Sequence, residues 1–215
     1  MKGLLLNQYY SVSGTFRNYL LFSIVIAGIL LISQNEMMQS FAQLLPTIFL
    51  TTPALEVLKQ ESNSGWNKFV LTLPIKRKNV VQSHFVFFIL AMLSGVLTTI
   101  VLHIVADFAV GGILTPDNIF GIMNGAGVAL ILGILAYPLT YYFGAEKSDT
   151  ILILSVMVAV GLFLLSNWLY IQFIEETFSG MNHVMVFTLG FCTLTLIVFL
   201  IAYISTLQVY KKKEF

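Results

Sequence analysis

The sequence predicts an all-α membrane protein with six transmembrane helices, and its composition and its apolar runs both indicate this fold class. Of its 215 residues, 58% are hydrophobic and only 10% are charged, and the mean hydropathy is +0.89. A soluble domain carries about 25% charged residues. Apolar runs of about 20 residues recur along the chain, and a helix of that length crosses about 30 Å of hydrocarbon. The short alternating segments of a transmembrane β-barrel do not occur. We therefore expect a single transmembrane domain over residues 1–215.

The chain is expected to start with an interfacial helix over residues 1–15, followed by a first span over residues 16–33. Four apolar residues share one face of the first segment: Leu5, Tyr9, Val12 and Phe16. Such a face, with polar residues around it, is typical of a helix that lies in the membrane surface. The apolar run ends without a small-x-small cleavage pattern, so a cleaved signal peptide is not predicted.

The second predicted span, residues 37–58, carries two prolines and a polar stripe. The stripe recurs at every fourth position: Gln39, Gln43, Thr47 and Thr51. An unpaired polar group in hydrocarbon costs several kcal/mol, so these side chains are expected to avoid lipid. Two roles remain open for them. They bond to neighbouring helices, or they form one wall of a translocation path.

The longest polar interruption covers residues 56–81, with a predicted cytoplasmic loop at residues 59–78. It holds five of the eleven basic residues: Lys59, Lys68, Lys76, Arg77 and Lys78. Four apolar residues inside it have helical spacing: Trp66, Phe69, Val70 and Leu73. This spacing predicts a short amphipathic helix with Ser64 as its N-cap and Pro74 at its end. A helix of two to three turns is unstable alone in water. It therefore needs the membrane surface, its own bundle or another protein to lie against.

Four further spans complete the predicted bundle, at residues 79–106, 119–143, 150–170 and 183–210. The fourth span has small residues at every fourth position: Gly121, Gly125, Ala129 and Gly133. A row of small residues lets two helices approach closely. We expect this row to be a helix-packing face.

The distribution of basic residues predicts the orientation of the bundle. With both termini in the cytoplasm, all eleven Lys and Arg residues lie in inner segments and none lies in an outer segment. Basic residues concentrate on the cytoplasmic side of membrane proteins. We therefore expect a multi-pass membrane protein with both termini in the cytoplasm.

Two stretches resemble the ABC-2-type transporter permeases. Glu56, residues 61–66 and residues 71–81 are similar to that family's loop between helices two and three, where an acidic residue and a Trp precede an LP-x-x-R turn. Residues 135–147, LAYPLTYYFGAEK, resemble the end of its fourth helix, with a proline, aromatic residues and a G-x-E-K turn. Tyr142 and Asp149 stand where many relatives have basic residues, so the resemblance assigns no ATPase contact to this second turn.

The resemblance implies a membrane subunit of the bacterial plasma membrane that works with a separate ATPase. The ATPase would contact the loop through seven residues: Glu61, Trp66, Phe69, Val70, Leu73, Pro74 and Arg77. Two copies of the ATPase would lie beneath two permease subunits, identical or homologous, that enclose the path. By analogy with modulin and lantibiotic exporters, the substrate would be hydrophobic or amphipathic, for example a peptide. The alternative is a membrane immunity or sensor protein that has the same bundle and transports nothing.

Several kinds of chemistry are not expected. The sequence has no G-x-x-x-x-G-K-[ST] motif, so ATP hydrolysis by this chain is not predicted, and neither is a cofactor or a nucleic-acid partner. The paired acids Glu175 and Glu176 are interpreted as a solvated outer loop. His84, His103 and His183 lie at different helix ends, so a common metal site is not predicted and packing or interfacial roles are favoured. No charged residue falls in the middle of a predicted span, which favours an external energy source over ion coupling.

Overall fold

The fold was described from a computed structural model, which describes residues 2–33, 35–178 and 181–212. Seven α-helices follow one another in this part of the chain: α1 (Lys2–Ile32), α2 (Glu36–Asn63), α3 (Trp66–Phe69), α4 (Arg77–Val110), α5 (Pro116–Phe143), α6 (Ser148–Phe173) and α7 (His183–Lys212). Short 3-10 turns lie at Val70–Thr72, Ala145–Lys147 and Glu175–Phe178. Six of the helices are long and apolar enough to cross a membrane. The predicted all-α fold with six spanning helices is confirmed.

The six long helices form one bundle with α2 and α5 at its centre. α2 packs against α1, α4 and α5, while α5 also packs against α6 and α7. Large apolar side chains on the outer faces of α1, α6 and α7 remain exposed, for example Phe22, Leu164 and Leu200. Exposed apolar faces of this kind suit a lipid environment.

The bundle has two ends, which we name by the predicted orientation. The inner end holds both described termini, the loop between α2 and α4 and the turn between α5 and α6. The outer end holds the other three connections. There, Asp107 Oδ1 accepts hydrogen bonds from the backbone N–H groups of Ile113 and Leu114 at 2.8 and 3.0 Å. The orientation of these ends relative to the cell stays a prediction.

The predicted interfacial segment and the first predicted span belong to one continuous helix. α1 is continuous from Lys2 to Ile32. Its first turns bury Leu4, Gln8 and Val12, and Gln8 Nε2 donates a hydrogen bond to Ser83 Oγ on α4 at 2.9 Å. Packing against α4 therefore holds these turns in the bundle, and no proline separates them from the apolar run.

The second helix was predicted to end at about Leu58, and the structure corrects this end, because α2 continues to Asn63. Asn35 caps its first turn by accepting hydrogen bonds from the backbone N–H groups of Met37 and Met38. Pro46 and Pro53 lie inside the helix and are buried. The extra turn at the inner end carries Glu61 into the bundle.

Candidate functional site

The loop between α2 and α4 contains only a short helix. Ser64, the predicted N-cap, is instead the C-cap of α2, and its N–H donates to the carbonyl of Gln60 at 3.0 Å. Gly65 follows with a φ of 74°. A glycine in this left-handed conformation ends a helix at little cost. The predicted single amphipathic helix is therefore replaced by α3, one turn long, and a 3-10 turn at Val70–Thr72.

The apolar residues of this loop face in two directions. Val70 is buried, while Trp66 and Leu73 are half-buried and pack against the core of the bundle. Phe69 points away from the core with 54% of its surface exposed, although its ring centroid lies 5.5 Å from that of Trp66. The bundle thus holds three of the four residues and presents the fourth outward.

Beneath the loop lies a buried polar cluster that the sequence did not predict. Glu61 Oε2 and His84 Nε2 are 3.1 Å apart, and the Tyr141 hydroxyl lies 2.8 Å from His84 Nδ1. All three residues are buried. One proton arrangement satisfies both bonds, with Tyr141 donating to Nδ1 and Nε2–H donating to Glu61. The Tyr137 hydroxyl donates to the backbone carbonyl of His84 at 3.1 Å. The cluster connects α2, α4 and α5.

A sequence signal for this cluster exists in the helical periodicity. Ala54, Val57, Leu58 and Glu61 have the spacing i, i+3, i+4 and i+7, and all four are buried on one face of α2. The same spacing extended past Leu58 would have placed Glu61 inside the bundle. Glu61 therefore lies behind the loop surface. The family resemblance had implied that it would lie on that surface and contact the ATPase.

A cavity of about 320 Å³ opens beside the cluster. Its walls come from the end of α2, the loop, the start of α4, the turn between α5 and α6, and Tyr210 on α7. Gly144, with a φ of 95°, turns the chain at the end of α5. Close by, Lys59 Nζ on α2 pairs with Asp149 Oδ2 at the start of α6 at 2.5 Å. The loop and the turn, the two stretches with a family resemblance, therefore border one cavity.

Comparison with known families decides the class of this architecture. Residues 3–211 match the model of a family described as ABC-2 family transporter protein. The chain belongs to this ABC-2 transporter family. No curated protein and no solved structure matches the sequence. The predicted resemblance to ABC-2 permeases is confirmed over nearly the whole chain.

The polar stripe of the permease lies between its helices. Gln43 Nε2 donates to Asn118 Oδ1 on α5 at 2.8 Å. The Thr51 hydroxyl donates to carbonyl oxygens of its own helix, at Thr47 and Ile48. Gln43, Thr47 and Thr51 are buried, and Gln39 is half-buried. This burial favours the packing role, and the translocation-path role stays a prediction that requires these contacts to open.

The row of small residues on α5 faces α2, α4 and α7. A Cβ atom at Gly125 would lie 2.9 Å from the backbone oxygen of Gln43, and Gly121 lies against the Gln43 side chain. A Cβ at Gly133 would meet the rings of Phe88 and Phe199 at 2.9 and 2.8 Å. Ala129 is fully buried. The spacing between these helices leaves no room for larger side chains.

The other two histidines, His103 and His183, do not belong to the polar cluster, which lies at the inner end. His103 Nδ1 bonds to the Thr99 carbonyl at 2.8 Å inside α4. His183 Nδ1 is 3.8 Å from Glu175 Oε1 at the outer end. Within the described residues, no three His, Cys, Asp or Glu side chains are grouped as a metal site would require.

Proposed function

We propose that this ABC-2 family member is the permease subunit of an exporter that moves a hydrophobic or amphipathic substrate, such as a peptide, out of a bacterial cell. A separate ATP-binding subunit would hydrolyse the ATP. Two permeases and two ATPases would form the working complex, with lipid around the exposed apolar faces of the bundle.

The observation that carries this proposal is the exposed ring of Phe69 on a loop that is fixed from behind. Trp66, Val70 and Leu73 hold the loop against the bundle, so Phe69 is presented on a supported surface. A large aromatic side chain on such a surface is suited to fill a pocket in a partner protein. Lys68, Lys76 and Lys78 around it are exposed. Membership in a transporter family makes an ATPase the partner to expect.

The burial of the loop residues indicates which of them can contact the ATPase directly. Glu61 and Val70 have almost no surface of their own, so they support the loop from behind. Phe69 has more exposed surface than the half-buried Trp66. We therefore assign Phe69 the direct contact with the ATPase, and Trp66 and Leu73 supporting positions. Pro74 and Arg77 are exposed along the same loop and would extend the contact.

The direct test measures the affinity of the permease for its ATPase. Purification of the tagged permease from native membranes should bring along a protein that contains a G-x-x-x-x-G-K-[ST] motif. Phe69→Ala is then expected to weaken that complex by at least about thirty-fold, because truncating an interface anchor often costs about 2 kcal/mol or more. Phe108→Ala is the matched control, since Phe108 is also exposed, at 89%, and lies near the outer end of α4.

Two results would contradict the proposal. One is an ATPase affinity that is the same for Phe69→Ala, Phe108→Ala and the unchanged chain. The other is the absence of any ATP-binding protein from the purified complex. That second result would favour the immunity or sensor alternative, which the burial of the polar stripe inside a single chain also suits.

A further inference from the structure

The cavity at the inner end is lined by negative and electron-rich groups. The Glu61 carboxylate borders it from α2, and Glu146 borders it from the turn between α5 and α6. The side-chain oxygen of Asn67, which also lines the cavity, is buried and has no hydrogen-bond partner among the described residues. α2 and α5 both end beside the cavity with the partial negative charge of their C-termini. α4 begins there with the opposite partial charge, and Arg77 at that start acts electrostatically on Tyr210. Among the described residues that line the cavity itself, the two carboxylates carry the full negative charges.

Glu61 has bonding capacity left over. Its side chain is more than nine-tenths buried, with a relative exposure of 7%. Oε2 faces His84, whereas Oε1 has no hydrogen bond within the described part of the chain. A buried carboxylate is costly unless a cation or several donors compensate it. His84 faces Glu61 with a single ring nitrogen, Nε2, so the cavity side of Glu61 is suited to take a further donor.

Aromatic rings form one wall of the same cavity. The ring centroids of Tyr141 and Tyr210 are 5.2 Å apart and their planes meet at 73°. Aromatic faces attract an ammonium or guanidinium group within about 6 Å of the ring. Lys147 uses this attraction nearby, with its Nζ 5.8 Å from the centroid of Phe143. Neither Lys147 nor any other described lysine or arginine lines the cavity itself.

We propose that this cavity binds an organic cation, a primary ammonium or a guanidinium group, between Glu61 at its floor and Glu146 at its mouth. A volume of about 320 Å³ accepts a lysine-like or arginine-like side chain. The cation comes from one of two sources: a basic group of a transported amphipathic molecule, or a lysine or arginine side chain of the ATPase. The site goes beyond the permease assignment, and its cation binding is measurable on the permease alone.

The test uses the full chain in phosphatidylcholine nanodiscs and dansylcadaverine, a fluorescent primary amine, as the probe. We expect saturable binding of the probe and at least about ten-fold weaker binding of its neutral N-acetyl derivative. Glu61→Gln keeps an oxygen for His84, and Glu146 lies in an exposed turn. Each of Glu61→Gln and Glu146→Gln should weaken probe binding by at least about ten-fold.

Glu36→Gln is the matched control, since Glu36 is an exposed carboxylate at the outer end of α2, and it should leave binding unchanged. Equal binding of the charged and the acetylated probe would overturn the proposal. So would unchanged binding in folded Glu61→Gln and Glu146→Gln proteins, with folding judged by a single symmetric size-exclusion peak.

Two further measurements distinguish the source of the cation. If the ATPase supplies it, purified ATPase displaces the probe and Glu146→Gln weakens ATPase binding. If a transported molecule supplies it, the probe changes the ATP hydrolysis rate of the assembled complex and Glu146→Gln leaves ATPase binding intact. If the probe binds as expected but no ATPase co-purifies with the chain, the result would contradict the proposed function and still support the cation site.

Discussion

His84 joins three helices through the two nitrogen atoms of its ring. Nε2 faces Glu61 on α2 at 3.1 Å, and Nδ1 faces the Tyr141 hydroxyl on α5 at 2.8 Å. His84 itself is 1% exposed, and a buried polar group that loses its partner costs free energy. A change at His84 therefore leaves the Glu61 carboxylate buried without its donor.

A double-mutant cycle measures this pair. We expect His84→Leu to lower the free energy of unfolding by about 3 kcal/mol, because removing one partner of a buried pair leaves the other uncompensated. Glu61→Leu together with His84→Leu should be no less stable than His84→Leu alone, since the buried carboxylate is removed as well. Reversible unfolding in mixed micelles gives both values. If the double variant shows the full sum of the two single effects, the residues do not interact.

Residue types predicted the role of His84 only in part. A histidine near a helix end was expected to pack, and His84 is buried. Its partner could not be read from the sequence, because Glu61 and Tyr141 lie 23 and 57 positions away. Pairing over such distances depends on how three helices meet, which periodicity within one helix does not encode.

α2 and α4 approach one another closely where Gly95 meets Thr47. A Cβ atom at Gly95 would lie 2.6 Å from the Cα atom of Thr47 and 3.1 Å from the backbone oxygen of Pro46. Backbone atoms cannot move aside as the end of a flexible side chain can. The two helices can therefore lie this close together because Gly95 has no side chain.

We expect Gly95→Ala to destabilise the bundle by about 1–3 kcal/mol, the usual cost of overpacking a close contact. Gly161→Ala is the control, because Gly161 is exposed on α6 and a Cβ there would have no atom within 4 Å. Alanine also favours a helix over glycine, so Gly161→Ala should be neutral or slightly stabilising. Thermal unfolding followed by size-exclusion chromatography compares the two. Equal melting temperatures would show that α2 and α4 can separate without cost.

The existence of each spanning helix was predictable, whereas the ends of the helices were not. Long apolar runs determine where a helix crosses the bilayer. The end of α2 is determined by Gly65, with its φ of 74°, and by burial of Glu61 in the preceding turn. The small residues of the fourth span indicated a close contact, and the contacts of Gly125 identify α2 as the helix it meets. Gly95, where an added Cβ atom would meet the backbone of Thr47, lies outside that row.

The inner end of the whole molecule brings together the parts that a transporter must coordinate. The loop with Phe69, the turn with Glu146 and the last helix with Tyr210 surround one cavity. The Lys59–Asp149 ion pair joins α2 to α6 beside it. A force on the loop would therefore reach α4 and α5 through Glu61, His84 and Tyr141 without passing through lipid. These hydrogen bonds would connect the proposed ATPase contact to the helices of the bundle.

The proposed arrangement requires the inner end to face the cytoplasm, where ATP is available. In a Cys192→Ala background, Thr177→Cys at the outer end should react with a membrane-impermeant maleimide in intact cells. Lys68→Cys, beside Phe69, should react only after the cells are opened. Both positions are exposed in the structure, so labelling of both in opened cells is the control for access.

The physical reason for this expectation is the segregation of charge. All eleven Lys and Arg residues belong to segments on the inner side of the predicted topology, and short basic segments resist transfer across the membrane. If Lys68→Cys reacted in intact cells and Thr177→Cys did not, the orientation of the protein in the membrane would be the reverse of the predicted one. Phe69 and the mouth of the cavity at Glu146 would then face away from ATP, and an ATPase could not dock on that surface.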